Sequence, residues 1–153
     1  MKYVFVTNVL IHLIRNSSTW QEIAKKHNPF DKSNQVFISF VSVAEILSIA
    51  KQVGWGNEKM KHLASSFSEM EIVTVSGNAD DLLIQAYVEI DSYSQGKNPQ
   101  IPLPKGISSR NMSKNDIWIA STAYALQAKL ITTDKDFEHL DKVFVDIFLI
   151  VQK

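Results

Sequence analysis

Four carboxylates stand where a chain could gather them around a divalent cation. Asp116 heads an apolar helical stretch, Asn115-Asp116-Ile117-Trp118-Ile119-Ala120, and Asp134 and Asp136 follow the short apolar run Leu130-Ile131-Thr132. Glu45 lies in Ser42-Val43-Ala44-Glu45-Ile46-Leu47, at the start of another helical stretch. Convergent carboxylates repel one another, so a fold that brings them together needs a proton or a cation between them. Hard oxygen donors without a neighbouring His or Cys suit Mg²⁺ or Mn²⁺ rather than Zn²⁺. Such an ion lowers the pKa of a bound water and clamps phosphate oxygens during in-line attack. The chemistry indicated is phosphodiester hydrolysis.

What must position these acids is an alternation of short apolar runs and helical stretches. Strands are expected over 2–6, 36–39, 72–75, 130–132 and 143–150. Their continuous Val, Ile and Phe content suits strands buried on both faces. Helices are expected after the first strand (Val9, Leu10, Leu13 and Ile14 forming the apolar face), over 18–27, from Ser42 to near Gly54, and over 57–69, 78–94, 113–128 and 134–141. Residues 96–112 hold Gly96, Pro99, Pro102, Pro104 and Gly106 and read as one long loop directly before Asp116. Loops of that length in compact domains are often functional. The pattern predicts a single domain over 1–153, a three-layer α/β/α sandwich around a mostly parallel five-stranded sheet.

In such a sheet the strand-to-helix turns share one edge, outside the carboxyl ends of the strands. Asn8 follows the first strand, Glu45 sits one turn into the helix after the second, and Asp134 follows the fourth. Asp116 starts the helix that leads into that fourth strand, so it faces the same edge. Each acid also has a plainer reading. Ser42-Val43-Ala44-Glu45 and Ser113-Lys114-Asn115-Asp116 both resemble capping boxes, and Asp134 can cap the helix that follows it. Taken singly these favour capping; taken together on one edge they favour a site. Asp136 is the weaker fourth acid, either an outer ligand or an exposed first-turn residue.

Composition narrows the classes. With 45% hydrophobic and 21% charged residues the chain reads as globular rather than disordered. Lys plus Arg and Asp plus Glu are both 16, so any basic surface for nucleic acid must be local. Lys97, Lys105, Arg110 and Lys114, in and just after the long loop, are the cations that could meet phosphates, although a solvated loop explains them equally well. The absence of cysteine excludes disulfides and thiolate ligands and fits a cytoplasmic setting. Thr7, Asn8 and His12 interrupt the apolar start, which reads as strand then helix, and no apolar run approaches the roughly 18 residues of a membrane span. His12, His27, His62 and His139 show no ligand spacing, and neither a GxxxxGK[ST] loop nor a GxGxxG turn is present.

Four motifs in order, Thr7-Asn8-Val9-Leu10-Ile11, Ser42-Val43-Ala44-Glu45-Ile46-Leu47, Asn115-Asp116-Ile117-Trp118-Ile119-Ala120 and Thr132-Thr133-Asp134-Lys135-Asp136-Phe137, resemble PIN-domain proteins, most of all the VapC-type ribonuclease toxins of bacterial toxin–antitoxin pairs. The resemblance spans essentially the whole chain. It implies an endoribonuclease dependent on Mg²⁺ or Mn²⁺, often a homodimer, silenced by an antitoxin protein. Glu45, Asp116 and Asp134 match the family's acids. Asn8 matches a polar residue beside the site, and Thr132 a hydroxyl residue near its last acid.

One position departs. The family's first acid stands directly before the Thr-Asn pair, where this chain has Val6. Valine can neither ligate an ion nor orient a water, so the expectation is weak or absent nuclease activity. The alternative is a non-catalytic module of the same fold that binds RNA or a partner protein. A receiver-like signalling domain expects an Asp ending a central strand, and none stands there.

Overall fold

The central strand of the sheet is the first one made. In the computed structural model, which describes residues 1–152, β1 (Lys2–Phe5) runs between β2 (Gln35–Ser39) and β4 (Lys129–Thr132), with β3 (Glu71–Val73) and β5 (Ile147–Leu149) at the edges. All four pairings are parallel, in the order β3-β2-β1-β4-β5. Tyr3, Val4 and Phe5 are successive and all buried, so both faces of β1 are covered, as an all-parallel sheet requires. The chain builds outward from β1 through β2 and β3, then returns to the other side for β4 and β5. The switch point therefore lies between the carboxyl ends of β1 and β4, where open α/β sheets leave a crevice.

Among the described residues, seven helical elements cover the sheet. They are α1 (Thr7–Arg15), α2 (Ser18–His27), α3 (Phe40–Val53), α4 (Asn57–Ser68), α5 (Leu82–Ser94), α6 (Lys114–Leu126) and a 3₁₀ segment, Lys135–Leu140. Phe5 meets Trp20 of α2 and Phe30 edge-on at 5.8 and 5.9 Å, while α6 packs on β1, β2 and β4. Gly54, at φ 70, ends α3 in the left-handed region that glycine enters at least cost.

Several boundaries differ from the sequence expectation. The first strand stops at Phe5, because the Val6 carbonyl already accepts from Val9 and Leu10 and Val6 is the N-cap of α1. The third strand is Glu71–Val73 rather than 72–75. α5 starts at Leu82, not 78, since the Asp81 carboxylate accepts from the main-chain N–H groups of Ser76 and Leu83 and holds 76–81 as a loop. The expected strand 143–150 shrinks to Ile147–Leu149. Lys142 adopts φ 61, and Val143 and Phe144 donate back to the Leu140 carbonyl, so the chain turns there instead of extending. The helix expected over 134–141 is the 3₁₀ segment, with Asp134 as its cap.

Candidate metal centre

Thr132 ends β4 fully buried, and its Oγ1 accepts from the Asp134 N–H at 3.0 Å, turning the chain out at the carboxyl edge. Asp134 Oδ1 in turn accepts from the Asp136 N–H at 2.8 Å, capping the 3₁₀ segment. Across the crevice, Ser113 caps α6 by accepting from the Asp116 N–H at 3.2 Å, which fixes Asp116 in the first turn. Asp116, Asp134 and Asp136 each offer a carboxylate oxygen, and these oxygens lie within 4.8 Å of one another.

Burial, and then the negative charges of Asp134, Glu45 and Asp136, raise the Asp116 pKa against the opposing Ser113 hydrogen bond. A group disfavoured in its charged form by burial and by three neighbouring anions is what a cation would relieve. The donors are all hard oxygens, so the set fits Mg²⁺ or Mn²⁺, with Asp116, Asp134 and Asp136 as the residues that would hold it.

Glu45 faces the adjoining cavity of about 80 Å³, shared with Val6, Thr7, Asn8, Asp116, Ile119, Asp134 and Phe137. Its carboxylate accepts from Thr7 Oγ1 at 2.8 Å, and that hydroxyl is also 3.1 Å from the buried Ser42 Oγ. Glu45 does not belong to a capping box at Ser42. α3 begins at Phe40, and its cap is Ser39, which accepts from the Val41 N–H at 3.3 Å. Ser42 therefore lies inside the helix, fully buried, and Glu45 a turn deeper than expected. At Ser113 and Asp134, by contrast, capping and clustering coexist: the same residues close helix ends and set the acids.

Val6, only 4% exposed, forms an apolar part of the wall of the cavity that Asn8 and the acids also line. Thr132 does not line the cavity, and its hydroxyl bonds to the Asp134 main chain. Arg110 lies on an adjacent groove of about 400 Å³, lined by residues 108–113 with Asp116 and Asp136. Lys114, the first residue of α6, is exposed and lines neither cavity.

Sequence reasoning missed Thr7, whose hydroxyl pins Glu45, and His139. The His139 Nε2 is 2.7 Å from the buried Ser94 Oγ. Burial and then the Arg110 charge lower its pKa to about 4, against the Asp136 main chain and carboxylate, so it is neutral at pH 7. No ligand spacing marks it, but Asp136 and His139 are three apart, and residues so spaced eclipse in a 3₁₀ helix.

The chain matches the PIN domain family over residues 3–143. It is a PIN-domain protein. No curated protein sequence matches this PIN domain. Among solved structures it is similar to VapBC2 from Rickettsia felis bound to a DNA fragment from its promoter, with TM-score 0.68, 20% identity, and coverage of 96% of this chain and 98% of that one. VapBC-1 from nontypeable Haemophilus influenzae gives TM-score 0.69 at 20% identity, over 97% and 98% of the two chains. VapBC-5 from Mycobacterium tuberculosis, a member of the VapBC family of toxin–antitoxin systems, gives 0.57 at 21% identity, over 97% and 98%. At these identities the likeness is one of fold. No helix among the described residues is long and apolar enough to cross a membrane.

Proposed function

We propose that this PIN domain is a nuclease toxin of the VapC type, an endoribonuclease dependent on Mg²⁺ or Mn²⁺ whose activity is weakened or lost through Val6. The observation that carries the reading is the meeting of Asp116, Asp134 and Asp136 at the switch point between β1 and β4. A divalent ion held there would supply a water of lowered pKa and charge for the phosphate oxygens. Glu45, set apart from the three and pinned by Thr7, is placed to accept a proton from the attacking water. The Asn8 amide lines the same cavity and can donate to a phosphate oxygen. The Arg110 guanidinium, on the neighbouring groove, can meet a flanking phosphate. The toxin–antitoxin setting of the similar structures supports a cognate antitoxin as partner. By the same reading the chain forms a homodimer and acts in the cytoplasm.

Val6 favours one second reading, a non-catalytic module that keeps the fold to bind RNA or a partner protein. An apolar wall inside the cavity removes a ligand without removing the groove. Restoring the acid separates the two. Val6→Asp should cleave single-stranded RNA in Mg²⁺ or Mn²⁺, with cleavage stopped by EDTA and by adding Asp134→Asn. A folded Val6→Asp chain that binds Mn²⁺ yet leaves RNA intact would favour the binding module.

A further inference from the structure

The 400 Å³ groove beside the acids is lined by the strap 108–113 together with Asp116 and Asp136. The strap and the segment that carries Asp136 are both tied to one residue at the end of α5. The Ser94 carbonyl accepts from the Arg110 N–H at 2.7 Å, and Ser94 Oγ lies 3.3 Å from Met112 Sδ, so Ser94 holds the strap at two points. The same Oγ is 2.7 Å from His139 Nε2, on the segment that carries Asp136. Its neighbour Tyr93 donates from its hydroxyl to the His139 carbonyl at 3.4 Å. Ser94 and Tyr93 are almost fully buried, so water does not compete for these bonds. The side chain of Arg110, by contrast, is exposed and makes no ion pair among the described residues.

We propose that Ser94 and His139 are positioning residues: a buried joint that sets the strap bearing Arg110 against the turn bearing Asp136, and so the register of a bound RNA backbone on the acids. This rests on the nuclease reading above. A buried joint suits the purpose because the strap, like the Pro102, Pro104 and Gly106 run that leads into it, has no helix or strand of its own to hold it. A positioned binding group loses effect when its support slackens, even with the group itself intact.

Ser94→Ala and His139→Leu remove the hydroxyl–imidazole link of the joint and leave the Ser94 carbonyl to hold Arg110 alone, and His139→Gln keeps an amide that can still bond to Ser94. Two readouts are made on the folded proteins. Amide hydrogen exchange at Arg110 and Asp136 should quicken together in Ser94→Ala and His139→Leu. At saturating Mn²⁺, affinity for a fluorescein-labelled single-stranded oligoribonucleotide should fall about fivefold, the effect of one lost buried hydrogen bond. His139→Gln should return both readouts toward the unaltered chain. A merely structural pair would lower the melting temperature and leave the folded fraction binding RNA as before, and that outcome overturns the proposal. Failure of the unaltered chain to bind RNA at all counts against the nuclease reading, and unchanged Arg110 exchange then overturns the joint on its own.

Discussion

Replacing Asp116 by asparagine should make the metal-free protein more stable, not less. Its carboxylate oxygen lies within 4.8 Å of those of Asp134 and Asp136. At that separation a like-charge pair costs roughly 1 kcal/mol in water and about 3 kcal/mol at an effective dielectric near 20. Asp136 is exposed and Asp116 and Asp134 half-buried, so the lower end applies, giving about 1–2 kcal/mol for the two pairs together. For a protein of this size each kcal/mol moves the melting temperature by about 2–4 °C, so Asp116→Asn should melt about 2–8 °C higher in EDTA at neutral pH. Mn²⁺ should reverse the order. At a hundred times its Kd the ion stabilises a binding chain by about 2.7 kcal/mol, and the variant that lacks a ligand should gain far less. The assay is a pair of thermal melts, with EDTA and with excess Mn²⁺. An Asp116→Asn protein that melts lower in EDTA, or that keeps the full Mn²⁺ response, would refute the picture of a repulsive cluster built for a cation.

Other perturbations follow from the same geometry. Val6→Asp adds an acid to the small cavity already holding Glu45, Asp116 and Asp134, so it should melt lower than the unaltered chain in EDTA and recover in Mn²⁺; equal melting under both conditions contradicts this. Because the folded-state pKa of Asp116 is raised, the native chain takes up that proton before the unfolded chain does, and the destabilisation from this group, full above the folded value, is relieved as pH falls through it toward the unfolded value. The stability difference between Asp116→Asn and the unaltered chain should therefore shrink on acidification, and Mn²⁺ affinity should fall over the same interval. Urea unfolding of both proteins at several pH values checks it, and a constant difference argues against it. Thr7→Val removes the hydroxyl that meets both Glu45 and Ser42 and should cost about 1–2 kcal/mol in urea unfolding; an unchanged midpoint would mean that Glu45 is not held through Thr7.

How far the sequence reveals the site depends on which residues are set by topology and which by local contacts. Asp116, Asp134 and Glu45 could be placed from chain direction alone, because a parallel sheet puts every strand-to-helix turn on one edge. Val6 stands out only through the resemblance, and it lines the cavity with those acids. Thr132, which the resemblance sets near the last acid, turns its hydroxyl to the Asp134 main chain and not to the cavity. Ser42 misled because the residue type and spacing of a capping box recur inside helices; that Ser39 caps α3 instead is decided by where β2 ends. Lys114 and Arg110 look alike as loop cations, yet only Arg110 is turned onto the groove, by a main-chain bond to Ser94 that no local pattern announces. His139 was invisible for the same reason: its partner is 45 residues away. The over-long fifth strand reflects a left-handed Lys142, a conformation that lysine does not advertise.

If the nuclease reading holds, Asp116, Asp134 and Asp136 together hold a divalent cation. Anomalous diffraction from Mn²⁺-soaked crystals of the unaltered chain tests it most directly. One peak is expected at inner-sphere distance, roughly 2.1 Å, from oxygens of these three carboxylates. A crystal grown in excess Mn²⁺ with ordered acids and no peak between them would contradict it.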